Sequence, residues 1–301
     1  MSTTTTLRAA PRRASKVGAG TVRPRGIRQR SLLHGAGSQL LLWTYAAIAF
    51  GPLLLVLIGS FRPNAEILRA PVGLPSSFDL SNYTRAWQTA SISTYFVNSL
   101  TVTCASVALC VSVSAMTAYA LARWKFRGRA LLAAFFLSGL MIPAKLGLLP
   151  VFYMFQSMGL IDSRIGLVLL YAASGIPFSV FVIMGFMRGL PGELEEAARI
   201  DGANEGRLFV SVVLPLMRPA LAVATVFQFA PTWNDFFYPL VLLRSGDKYT
   251  IPVGLTRFFG EFAADRGTLF AGLVIALVPL AVVFALATKQ IVAGLTAGMS
   301  R

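Results

Sequence analysis

Residues 196–219 read EAARIDGANEGRLFVSVVLPLMRP, a polar island between two apolar segments that are each long enough to cross a membrane. Pro191-Gly192 ends the segment before it. Glu193, Glu195 and Glu196 then fall in a first helical turn, where acids complement the positive end of the helix dipole. Ala197 and Ala198 keep one face of that helix low, so that another protein surface can approach closely. Gly202 suits a helix end that needs a positive φ. A second amphipathic stretch, Glu205 to Val213, leads to Leu214-Pro215. The pattern predicts two short helices with a sharp bend.

The composition around the island sets the class. Of 301 residues, 55% are hydrophobic and 13% charged, about half the charge of an ordinary soluble domain. The expectation is an all-α polytopic membrane protein, because helices satisfy their own backbone hydrogen bonds in lipid. Six transmembrane helices are expected, at roughly 39–60, 95–122, 130–150, 165–187, 217–243 and 268–289. Gly159 to Arg164 marks the turn between the third and fourth. The expected organisation is a disordered basic cytoplasmic tail over 1–35, a first transmembrane helix and extracytoplasmic segment over 36–94, a transmembrane core over 95–290, and a cytoplasmic tail over 291–301. No cleaved signal is expected after Arg12-Arg13, because no short apolar region with a small-residue cleavage site follows closely.

The net charge of +15 does not argue for nucleic acid. Eight of the 27 basic residues lie in the first 30 positions, and most others flank spans. With both termini in the cytoplasm, eighteen of the 27 fall on the cytoplasmic side. That bias fits the positive-inside rule and puts the 196–219 island in the cytoplasm. Cys104 and Cys110 are six residues apart in one helix, about 9 Å, too far for a disulfide, and read as small buried packing residues. Ser106, Ser112 and Thr117 read as helix-packing residues. His34 has no companion ligands, so no metal site is expected.

The island resembles the cytoplasmic EAA loop of binding-protein-dependent ABC importers. Glu196-Ala197-Ala198, Asp201-Gly202-Ala203 and Val213-Leu214-Pro215 stand at the family spacing, with Pro219 beyond. Trp233-Asn234-Asp235-Phe236, the Asn98-Ser99-Leu100 opening and the tail Ile291 to Gly298 resemble the carbohydrate branch, specifically the maltose-type second permease subunit. The likeness covers roughly 95–298; the Met299-Ser300-Arg301 finish departs from the usual ending. The resemblance implies a type I ABC importer transmembrane fold in the plasma (inner) membrane of a bacterial or archaeal cell. The chain would be a permease subunit that takes up a sugar. Its implied partners are a second homologous permease subunit, two ABC ATPase subunits and an extracytoplasmic solute-binding protein. ATP and Mg would sit on the ATPase chains, with no cofactor bound here. Glu196, Ala197, Ala198, Asp201, Gly202, Ala203, Leu214 and Pro215 would couple to the ATPase, with Glu196 pairing to a basic group on it.

Polar residues within spans are functional candidates by default. Asp235 shares a helical face with Gln228, Thr232 and Thr225, bracketed by Pro231 and Pro239. This stripe either lines the translocation pathway or pairs Asp235 with a neighbouring helix. Asn98, Trp233 and Asn234 join the pathway candidates; Trp233 would stack on a sugar ring or sit at the membrane interface. Lys145, about 22 Å along its helix, either snorkels to the outer interface or lines a cavity for a polar or acidic substrate. The segments 61–94 and 244–267 are large enough to meet an extracytoplasmic partner. No G-x-x-x-x-G-K-[ST] loop occurs, so this chain carries no P-loop ATPase site. An intramembrane enzyme would need paired acids at one depth, and a self-sufficient secondary transporter would not need an ATPase-docking loop. A permease for glycerol phosphate or another polar solute is the nearer alternative.

Overall fold

The structure, a computed structural model, describes residues 30–259 and 265–299, with side chains for 38–143, 145–258 and 265–288. Most of the basic tail expected over 1–35 lies outside the described residues. The chain divides into two units, 1–52 and 53–301. The first contributes the start of α1 (Arg30–Gly59), whose stretch Ser38–Gly59 has a mean hydropathy of 2.2. The second holds every later element. It begins with two short helices, α2 (Asn64–Arg69) and α3 (Ser81–Gln88), then α4 (Ile92–Arg123), α5 (Arg129–Gly139), α6 (Leu148–Ser157) and α7 (Arg164–Arg188). The polar island follows, and after it the remaining helices described below.

Among the described residues four helices are each long and apolar enough to cross a membrane: α1, α4, α7 and the last, Arg266–Met299. They coincide with four of the six expected spans. The last helix runs on to Met299, where a separate tail was expected from 291.

The other two expected spans are broken, so the count of six is not reached by unbroken helices. The expected 130–150 span stops at Gly139, passes through a short 3-10 turn at Ala144–Gly147 and resumes as α6. The expected 217–243 span stops at Asn234 and resumes at Phe237. The two breaks have one cause. Proline has no N–H to donate, and its ring collides with the carbonyl four residues back. Pro143 opposes Gly139, and Pro239 opposes Asp235. Pro52, Pro177 and Pro279 remain inside continuous helices, so a second signal is needed. At 139 it is a glycine, the weakest helix former after proline. At 235 it is a carboxylate that accepts from Phe237 N (3.4 Å) and Tyr238 N (3.2 Å) and so starts the next helix.

The core is the seam between α4 and α7. On α4, Ser106, Cys110, Ser114 and Ala118 are fully buried at four-residue spacing; on α7, Ala172, Ser179 and Ile183 face them. Cys110 Sγ lies 3.5 Å from Ser179 Oγ. Small residues let the two backbones approach, as membrane helix pairs require. Cys104 and Ser112 are exposed on the other face of α4, a correction to the packing role expected of both.

The expected turn before α7 is present, with positive φ at Gly159 and Asp162. Asp162 accepts from Arg244 N (2.9 Å), Ser245 N (3.0 Å), Ser245 Oγ and Lys248 Nζ (2.8 Å). These donors, Lys248 first, hold its carboxyl far below the ordinary carboxylate range. The 244–259 stretch is therefore a packed element, with a helix at Ile251–Leu255 seated on α4. Its Gly254 lies against the buried Tyr95 ring so closely that a Cβ would overlap it. Gly254→Ala should cost about 1–3 kcal/mol of stability through overpacking. A thermal midpoint of the detergent-extracted variant equal to that of the wild type would refute that packing.

Candidate functional site: the EAA loop and the broken helix

The island folds as two short helices, as expected. Helix α8 spans Glu193–Ile200 and α9 spans Glu205–Leu208. Between them Gly202 has φ +83°, Gly202 N donates to Arg199 O (3.1 Å) and Ala203 N donates to Ala198 O (3.0 Å). This pair of bonds around a left-handed residue is the Schellman closure of a helix. Asn204, which the sequence reading passed over, caps α9 by accepting from Arg207 N at 2.9 Å.

A single wide turn at Phe209–Val213 leads to α10 (Leu214–Leu216), and α11 (Arg218–Asn234) leaves at 75° to it. Pro215 and Pro219 account for both irregularities. Pro215 cannot bond to Ser211, so the ladder widens and Leu214 N reaches Phe209 O; Pro219 cannot bond to Pro215, and the helix bends at Met217.

The loop has two faces. Glu196, Ala197, Asp201 and Gly202 are exposed, and Ile200 is 86% exposed. Ala198, Ala203 and Leu214 pack against a cluster of Leu208, Val213, Tyr119, Ile183 and Met187, while Pro215 is exposed. The alanine pair is thus divided between the two faces.

Beneath the exposed face lies a polar network that the sequence reading did not identify. Glu195 is 4% exposed, and Arg123 Nε at the end of α4 donates to its Oε1 at 2.6 Å. Arg123 also donates to Leu190 O at 3.2 Å. Arg199 donates to Glu205 Oε1 at 3.0 Å and stands 3.9 Å from Glu195 Oε2. Tyr119 Oη donates to Glu205 Oε2 at 2.8 Å.

The pathway candidates separate into two groups. Asn98, Gln228, Thr232 and Trp233 are buried. Asn98 donates to Asp247 O (2.8 Å) and Tyr249 O (3.0 Å) and accepts from Arg164 (2.6 Å). Gln228 sits over Gly175 and donates to Tyr171 O at 2.7 Å and Thr232 Oγ1 at 3.3 Å. Trp233 donates to Ala276 O at 3.0 Å and stacks on Phe229 with ring centroids 5.7 Å apart. Its ring is core, neither an interface anchor nor an open sugar platform in this conformation. Asp235 lies past the end of α11 in extended backbone, off the continuous helical face assumed for it, and accepts from Tyr171 Oη at 2.8 Å. Asn234 is exposed and Asp235 half-buried. Lys145 is exposed in the break between α5 and α6, not 22 Å along an unbroken helix, with Nζ 5.6 Å from the centroid of the Phe237 ring. Among the described residues no cluster of metal-ligating side chains occurs.

A bundle of long apolar helices with a polar, doubly bent loop docked on its central pair defines a helical, multi-pass transport permease. Residues 111–296 match the family of binding-protein-dependent transport system inner membrane components, and this chain belongs to that family. It is 38% identical over 264 residues to a diacetylchitobiose uptake system permease protein of Streptomyces coelicolor, covering 87% of each chain. It is 37% identical over 257 residues to an arabinooligosaccharides transport system permease protein of Halalkalibacterium halodurans, covering 84% of this chain and 91% of that one. The fold matches a chain of the crystal structure of a bacterial ABC transporter involved in the import of the acidic polysaccharide alginate. There the TM-score is 0.79 at 25% identity, with 89% of this chain and all of that chain covered.

Open space surrounds Gly202, so a larger side chain would meet strain rather than a clash. Left-handed backbone costs a β-branched residue about 1–2 kcal/mol or more. Gly202→Val should reduce uptake at least about tenfold at wild-type abundance in the membrane fraction. Normal uptake would show that the turn has no part in transport.

Proposed function

We propose that this chain is one of two transmembrane subunits of an ATP-driven importer of an oligosaccharide, coupled to cytoplasmic ATPase chains through the EAA loop. The observation that carries this reading is the likeness, over more than four-fifths of the chain, to permeases named for diacetylchitobiose and arabinooligosaccharides. The exposed face of Glu196, Ala197, Ile200, Asp201 and Gly202 supports ATPase docking, with Ala198, Ala203 and Leu214 bracing it from behind and Pro215 exposed beyond them. The absence of a P-loop supports placing ATP and Mg on partner chains. Cytoplasmic termini follow from the distribution of basic residues. Among the described residues four long helices and one bent pair account for up to five crossings, and the sixth is assigned to the interrupted α5–α6 stretch. A homologous permease completes the pathway, and a solute-binding protein delivers substrate from the other side. Lys145, Asn234 and Asp235 face the pathway at the two helix breaks. Asn98, Gln228, Thr232 and Trp233 form the wall behind them.

In this scheme ATP binding closes the ATPases, moves the EAA loop, and switches the paired permeases from inward- to outward-facing. The two states differ in affinity for nucleotide and for the binding protein, which is what couples them. Tagging the chain, extracting it in mild detergent with nucleotide trapped, and analysing co-purifying chains by mass spectrometry tests the assembly. A second permease and an ATPase are expected, and a co-purifying binding protein can be screened against oligosaccharides. Recovery of the chain alone, active after reconstitution, would overturn this function in favour of an ATPase-independent transporter.

A further inference from the structure

Glu195 and Glu196 are neighbours in the same helical turn and face opposite ways. Glu196 is exposed, and Glu195 is buried against Arg123. Glu195, Arg123 and Tyr119 lie beneath the exposed face of the loop, and with the partly exposed Glu205 and Arg199 they form one continuous set of bonds. Tyr119 and Arg123 stand one turn apart on the same face of α4, so they grip the loop at two points. Tyr119 holds α9 through Glu205, Arg123 holds α8 through Glu195, and Arg199 links the two acids.

The covalent connections of the loop are poorly suited to transmit a push. On one side Pro191-Gly192 separates α7 from α8 without helical continuity. On the other, the chain turns 75° at Met217 before α11. Neither end continues straight as helix into the span beyond it, so the helical backbone offers no direct strut between the loop and those spans. The lateral connection is different. Its 2.6 Å charge-assisted bond is buried, with two arginines and two acids balancing one another. It ends on α4, which runs 32 residues to Ile92 and packs along α7 through the small-residue seam.

We propose that Arg123 and Glu195, supported by Tyr119, Arg199 and Glu205, are positioning residues that clamp the EAA loop to α4, so that displacement of the loop is delivered to the α4–α7 pair. This inference rests on the ATPase-coupled reading above. It assigns the mechanical connection chiefly to the Arg123–Glu195 pair buried beneath the loop, with Arg199 and Glu205 partly exposed on the loop itself.

The test uses the whole importer, purified with its co-purifying ATPase and permease chains and reconstituted with its binding protein. ATP hydrolysis and uptake are measured on the same vesicles. Glu195→Gln keeps the shape and removes one charge. Tyr119→Phe removes one hydroxyl and leaves the ring packed on Phe209, whose centroid is 5.2 Å away. Both complexes should assemble and hydrolyse ATP, with uptake per ATP falling at least about tenfold for Glu195→Gln and several-fold for Tyr119→Phe. Arg123→Leu should behave like Glu195→Gln, and Arg123→Lys should recover part of the loss. Unchanged uptake per ATP in Glu195→Gln and Tyr119→Phe would overturn the clamp. So would a fall in assembly, thermal midpoint and uptake together at a constant ratio, which is the signature of a merely structural pair. A wild-type preparation lacking any ATPase would instead overturn the functional reading on which the clamp depends.

Discussion

The close approach of α4 and α7 is the contact on which the other elements depend. Lipid tails are as apolar as leucine, so burial gives membrane helices little reason to associate. What remains is packing, and packing at short range needs small side chains. The stripe Ser106, Cys110, Ser114 and Ala118 on one helix meets Ala172, Ser179 and Ile183 on the other. Gly175 leaves a gap in that surface, and Gln228 from α11 fills it, its amide bonded to the backbone of α7. At one end of the seam Tyr119 and Met187 form the floor on which the polar loop sits; at the other, Tyr95 and Ile92 seat the Ile251–Leu255 helix and the final helix.

Much of this was legible in the chain itself, because the deciding signals are local. Four long helices announce themselves by hydropathy over twenty or more residues. The turn at Gly202 follows from a glycine after a short amphipathic run, and its Schellman bonds join residues no more than five apart. The likeness of 196–219 to the EAA loop led to a family that residues 111–296 match.

The rest was not legible for a consistent reason: its outcome is set by groups distant in sequence. Glu193, Glu195 and Glu196 look alike under a helix-dipole rule, and only Arg123, 72 positions away, selects the middle one for burial. Asn98 resembles a pathway residue until Arg164 and the backbone of 247 and 249 surround it. Trp233 is core because Ala276 offers a carbonyl and Phe229 a parallel ring. Proline is equally ambiguous from sequence. Pro177 sits inside a continuous helix, whereas Pro143 and Pro239 end one, and the difference lies in what stands four residues before each. The helical stripe drawn through Asp235 assumed continuity across such a break, which is why it failed at its last member.

The Asp162 junction has a consequence for the environment in which the protein works. One carboxylate gathers donors from Arg244, Ser245 and Lys248 and so joins the turn before α7 to the segment that follows α12 (Phe237–Leu242). Because its proton affinity is depressed in the folded state, the stabilisation it supplies is complete above the ordinary carboxylate range and is lost once pH has fallen through the lowered value. Below the ordinary carboxylate range the stabilisation begins to decline, while the carboxylate itself stays ionised and bonded in the folded chain until the lowered value is reached.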